Sequence, residues 1–152
     1  LRTGIMLPFP IVADRNGQIA RKYGMIANDI STTETVRNVF KNARPQGDYD
    51  CSLEVLKYIK DNSNIITKSG LMIGLGETFE DIEQTLLDLK NVGCDIVTIG
   101  QYIQPSKEHL EVSKYYTPSE YEDLKALAEK IGIKHYQIGP LVRRSYRASE
   151  LI

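Results

Sequence analysis

The sequence predicts an α/β fold with parallel strands. From about residue 33 onward, helical apolar spacing and short β-branched runs follow one another as helix–strand–helix–strand–helix–strand. Two of the later helical patterns open on a threonine with an acidic residue three positions on. The 152 residues are 41% hydrophobic, enough to bury a core and too apolar for a disordered chain.

Residues 7–26, LPFPIVADRNGQIARKYGMI, start with a β-like run from Phe9 to Val12. Asp14 can cap the next element, Arg15-Asn16-Gly17 reads as a turn, and Gln18 to Tyr23 as a short helix. After a polar loop, TETVRNVFKN places Val36, Val39 and Phe40 at helical spacing. ARPQGDYD (43–50) is a Pro/Gly connection, and Asp50 or Ser52 can cap the helix that holds Leu53, Leu56 and Ile59.

Beyond residue 64, Ile65 to Gly70 leads into the strand-like run LMIGLG. Thr78, with Asp81 as its reciprocal partner, caps a helix from Phe79 to Asn91 whose stripe is Ile82, Leu86 and Leu89; Gly93 ends it. CDIVTIGQY (94–102) is a strand, and Tyr102 to Tyr116 an irregular segment of the length that functional loops have. Thr117-Pro118 with Glu120 starts a helix to Lys130, Gly132 closes it, and IKHYQIG is the last strand. Three parallel strands leave open edges, so the sheet is expected to continue, to self-associate through an edge, or to have residues 1–30 packed over that edge. The chain reads as part of something larger.

With 19 basic and 20 acidic residues the net charge is -1, which gives no whole-chain attraction to nucleic acid or an anionic membrane. No run approaches a membrane helix and the start lacks a signal-peptide layout, so the expected location is cytoplasmic. Two cysteines exclude a disulfide scaffold and a four-thiolate metal site.

The most informative run is TKSGLMIGLGET (67–78), where a strand hands over to a helix and α/β folds bind ligands. Gly70, Gly74 and Gly76 allow close backbone approach, and Glu77 places a carboxylate at the helix start. Its spacing fits neither a Walker A loop nor a Rossmann fingerprint. The alternative is a tight turn with a helix-capping carboxylate. Lys68 reads as an exposed strand-edge lysine, while Gln101 and Gln104 stand at the end of the next strand. His109 and His135 lack partners at metal spacing and read as surface or hydrogen-bonded histidines. Cys94 reads as a buried inert thiol, and Cys51 sits at a helix start that favours a thiolate. In the tail, Arg143, Arg144 and Arg147 surround Ser145 and Tyr146, either to hold a carboxylate or phosphate or as a solvated end.

From about residue 33 to 150 the chain resembles the C-terminal part of lipoyl synthase, in ETVRNVF, RPQGDYD, SLEVLKYIK, TKSGLMIGLGET, GCDIVTIGQYIQPSKEHL, YYTPSEYEDLK and GPLVRRSY. The resemblance implies a partial (β/α) barrel of the radical S-adenosylmethionine type. It also implies sulfur insertion into an octanoyl chain held on a lipoyl carrier domain, a sulfurtransferase reaction of lipoate biosynthesis. One [4Fe–4S] cluster would cleave S-adenosylmethionine and an auxiliary one would supply sulfur. GLMIGLGE (70–77) matches the family's G-x-I-x-G-x-x-E pattern, so Gly70, Met72 (for the usual Ile), Gly74 and Glu77 are the implied cofactor-binding positions. The family's tail is Arg-Ser-Ser-Tyr, with a serine that ligates the auxiliary cluster. Arg143, Ser145 and Tyr146 match and Arg144 replaces one serine, so Ser145 is the metal ligand only if the retained serine is the ligating one. Neither of the family's cysteine trios has a counterpart, so we expect no cluster and no turnover from these 152 residues.

The first 40 residues, TGIMLPFPIVADRNGQIARKYGMI followed by STTETVRNVF, resemble the middle of a 1-Cys-type peroxiredoxin, and Arg37 matches an arginine that helps activate its cysteine. The peroxidatic Thr-x2-Cys site is absent. The two resemblances overlap at TETVRNVF, which divides the chain into a peroxiredoxin-like segment (1–32) and a lipoyl-synthase-like part (33–152), the pattern of a fragment or chimera. The alternatives to the lipoyl synthase role are then a thiol peroxidase fragment and a non-catalytic α/β fragment.

Overall fold

Strands are added to the sheet in the order in which they occur along the chain. In the computed structural model, which describes residues 33–43, 47–62, 64 and 66–143, the elements are β1 (Thr33–Glu34), α1 (Arg37–Ala43), α2 (Tyr49–Asn62), β2 (Lys68–Ile73), α3 (Phe79–Asn91), β3 (Ile96–Gln101), α4 (Pro118–Ile131) and β4 (His135–Ile138). The sheet order is β1-β2-β3-β4 and every pairing is parallel, with Lys68 to Ile73 in register with Ile96 to Gln101. The strand–turn–helix expected before residue 33, and Arg144, Ser145, Tyr146 and Arg147, lie outside the described residues.

An unreversed strand order has no topological switch point, and right-handed crossovers then place all helices on one face. The core bears this out. Leu71 and Ile73 of β2, Val97 and Ile99 of β3 and Ile138 of β4 pack with Ile82, Leu86 and Leu89 of α3 and Leu124, Leu127 and Ala128 of α4. Val39 of α1 and Leu53 and Leu56 of α2 border the same cluster. By the strand pleat, the other face carries Lys68, Gly70 and Met72, then Ile96, Thr98 and Gly100, then His135 and Gln137. One helical layer on an all-parallel sheet is the layout of a barrel segment, consistent with a partial β/α fragment of radical S-adenosylmethionine type.

Two local expectations change. Thr33 and Glu34 do not belong to the first helix: they pair with Gly70 and Leu71 as a fourth strand, and the Thr35 hydroxyl donates to the Met72 carbonyl at 3.2 Å. Two residues are too few to display a strand period. The cap of α2 is Asp48 rather than Asp50 or Ser52, since its Oδ1 accepts from the Cys51 amide at 3.0 Å. Asp50 is engaged instead by the Arg37 guanidinium through two hydrogen bonds, 2.9 and 2.7 Å.

The other two caps agree with the sequence reading. Thr78 and Asp81 form a complete capping box at α3, and Thr117 and Glu120 another at α4, which Gly132 closes at φ +85°. Glu120 also receives Lys114 at 2.5 Å. That bond first, and the Thr117 amide and hydroxyl next, pull its carboxyl down to about 2 from a usual 4.5. A depressed carboxyl stabilises the fold above its unfolded value and loses that contribution as pH falls through the folded one. The stability advantage of wild type over Glu120→Gln in urea titrations should therefore be full above about pH 5 and vanish toward about pH 2. A gap that does not change with pH contradicts this assignment.

Candidate functional site

The C-terminal ends of β2 and β3 and the loop 102–117 meet in one hydrogen-bonded cluster. Beyond Ile73 the chain turns through Gly74 and Gly76, both at φ +104°, a region that side chains rarely adopt. Glu77 closes that turn. Its buried carboxylate accepts from the Gly74 amide (2.5 Å) and the Tyr116 hydroxyl (2.9 Å) through Oε1, and from the Leu75 amide (2.8 Å) through Oε2. Glu77 thus closes a tight turn, while the helix itself is capped by Thr78 and not by this carboxylate.

Gln101 joins the loop to the turn from the end of β3. Its buried amide donates to the carbonyls of Lys114 (2.9 Å) and Ile73 (3.3 Å), and its oxygen accepts from the Tyr116 amide (3.1 Å). The Ser113 amide donates to the Gly74 carbonyl at 2.8 Å, and the Tyr102 hydroxyl to the Leu110 carbonyl at 2.9 Å. The approach at Gly74 is so close that an added Cβ would lie 2.2 Å from Gln101 Nε2 and 2.6 Å from the Lys114 carbonyl.

Burial, and then the bond to the Glu77 carboxylate, raise the Tyr116 phenol well above its usual value. The Tyr116 hydroxyl is held as a hydrogen-bond donor to Glu77. Lys114 Nζ lies 4.6 Å from the centre of the same ring. The cluster holds no nucleophile–base pair with a free partner. What it offers is a rigid turn whose geometry is set by a carboxylate, an amide and a phenol.

The structure brings Gly74, Glu77 and Gln101 together, with Gly70 and Met72 on the strand that leads in. Tyr116 belongs with them, and local spacing gives no hint of it because its partner is 39 residues away. Lys68 is not an edge lysine: it is half-buried on a strand flanked by β1 and β3. Gln104 turns into its own loop, donating to the His109 carbonyl at 2.9 Å, and His109 Nδ1 pairs with the Ser106 hydroxyl at 2.8 Å. His135 is exposed at the start of β4.

Cys94 is half-buried rather than buried and stands ahead of β3, while Cys51 is on the first turn of α2. Arg143 Nη1 donates to the Gln101 carbonyl at 3.4 Å. Among the described residues no three His, Cys, Asp or Glu gather as a metal site, and no helix is long and apolar enough to cross a membrane.

No family model matches the chain. Curated relatives do. Lipoyl synthase 2 of Gloeobacter violaceus is 54% identical over 118 residues, 77% of this chain and 41% of that protein. The lipoyl synthase of Picrophilus torridus is 50% identical over 127 residues, 83% of this chain and 43% of that protein. That of Chlorobium phaeobacteroides is 47% identical over 118 residues, 78% of this chain and 41% of that protein.

Over that span the chain is similar to lipoyl synthases.

It spans about two-fifths of the length of these relatives. The peroxiredoxin resemblance of residues 1–40 gains no support from these lipoyl synthase relatives. The overlap octamer TETVRNVF folds as β1 and the first part of α1 of the parallel sheet, and Arg37 is bonded to Asp50 and stacked 4.4 Å over the Tyr49 ring.

Proposed function

We propose that residues 33–152 are the C-terminal β/α units of a lipoyl-synthase-type radical S-adenosylmethionine sulfurtransferase, and that β2 and its turn support the S-adenosylmethionine. The observation that carries this reading is the clamp of Glu77 on the Gly74 and Leu75 amides, at the end of the strand that carries Gly70 and Met72. Met72 is half-buried on the helix-free face, where an apolar side chain can lie against a flat ring, and the fixed turn holds backbone at its edge. These residues fit a supporting role. When bound, S-adenosylmethionine would supply the radical that activates an unreactive carbon. Met72 would pack, Glu77 and Tyr116 would hold the turn, and Gln101 would keep the loop 102–117 against it.

The iron–sulfur clusters do not fit the residues present. The family's two clusters take six thiolates in all, and these 152 residues, about two-fifths of the relatives' length, hold two cysteines, one on α2 and one ahead of β3. The proposal is therefore that these residues neither assemble a cluster nor turn over by themselves, and that Ser145 serves as a ligand only alongside thiolates from elsewhere. The substrate would be the octanoylated lipoyl carrier domain, with no nucleic acid and no membrane as partner, in the cytoplasm. Self-association through an open sheet edge is the accompanying proposal for the chain in isolation.

The test is a hybrid in which residues 33–152 replace the corresponding segment of the Gloeobacter violaceus protein. Sulfur insertion within about tenfold of the parent is expected. A folded, cluster-loaded hybrid that forms no product overturns the reading. The 152-residue chain alone, treated anaerobically with iron and sulfide, is the control and should hold no stoichiometric cluster.

A further inference from the structure

The chain that leaves β4 turns back over the sheet at Gly100. A Cβ built there would lie 2.1 Å from the Val142 carbonyl oxygen, 3.2 Å from its carbon and 3.6 Å from Arg143 Nη1. No side chain can occupy that space unless the backbone moves. Neighbouring Ile99 lies in the helix-side core, so the missing Gly100 side chain belongs to the opposite face, beside its register partner Met72. Residues 142–143 therefore cross the helix-free face at the end of β3. Two further contacts hold the crossing: the Val142 amide donates to the Gly139 carbonyl at 3.1 Å, and Arg143 Nη1 to the Gln101 carbonyl.

We propose that Gly100 is a positioning residue whose bare backbone seats Val142 on the helix-free face of β3, next to Met72, and so sets the path of the chain after β4. The inference rests on the proposed function only in taking that face as the ligand side. Gly100 would then shape the ligand site through Val142 and Arg143 without touching the ligand. Gly139 lies next to the same segment, yet a Cβ there meets only a Val142 methyl at 3.5 Å, an ordinary contact. The seat is specific to Gly100.

Hydrogen exchange on the 152-residue chain tests this without any cofactor, so its outcome is separate from that of the hybrid. In Gly100→Ala, the Val142 amide, bonded to the Gly139 carbonyl, should exchange about tenfold faster, with those of β2 and β3 changed less than about twofold. Gly139→Ala should leave all of them within about twofold of wild type. A folded Gly100→Ala chain with an unaltered tail, or one that loosens equally in sheet and tail, overturns the proposal. If Gly100→Ala does not fold, Arg143→Gln decides: tail exchange faster by about threefold with an unchanged sheet supports the seat, and no change overturns it.

Discussion

Gly74→Ala is expected to destabilise the fold by about 3–5 kcal/mol, while Gly76→Ala, at the same φ of +104°, costs about 1–2 kcal/mol. Both substitutions place a side chain in a backbone region that disfavours one. They differ in surroundings. At Gly76 the nearest atom to a new Cβ is Ser113 Oγ at 3.5 Å, whereas at Gly74 it is Gln101 Nε2 at 2.2 Å and the Lys114 carbonyl at 2.6 Å. The Gln101 amide cannot simply swing away, because it bonds the backbone of Lys114 and Tyr116. The difference between the two glycines in urea unfolding isolates the cost of the close approach. Equal losses would show that strain in the turn alone matters and that the loop does not press on it.

Glu77→Gln should cost about 2–3 kcal/mol. The carboxylate accepts three hydrogen bonds through two oxygens; an amide keeps one acceptor and turns two donors toward groups that also donate. Tyr116→Phe removes one of the three and should cost about 1 kcal/mol. If the turn and the loop are joined through this carboxylate, Tyr116→Phe adds little in the Glu77→Gln background, a coupling that a double-mutant cycle in denaturant measures. Full additivity would mean that Tyr116 is held in place by its packing and that its bond to Glu77 contributes nothing.

The fold was legible in the sequence because its signals are local. Thr78 with Asp81 and Thr117 with Glu120 announce two helices, and the stripe Ile82, Leu86, Leu89 announces which face of α3 is buried. β1 was not, since Thr33 and Glu34 become a strand only by pairing with Gly70 and Leu71. That omission also explains Lys68: without β1 its strand looks like an edge, with β1 it lies inside the sheet. Of the site, Gly74 and Glu77 were singled out by their place where a strand hands over to a helix and by the family resemblance. The contributions of Tyr116 and Gln101 depend on the path of a 102–117 loop that has no periodicity to read. Gly100 carried no signal either, because its neighbour Val142 arrives only after another helix and strand.

The agreement between sheet order and chain order bears on how the protein is made. A chain leaving the ribosome from its N-terminal end completes β2 before β3 exists, and β3 before β4. Each new strand therefore finds its neighbour already in place, after one intervening crossover. Synthesis can proceed by accretion, and among the described strands none has to be held in reserve for a later partner. Among the described residues, the return of 142–143 to Gly100 can take place only once β4 is laid down.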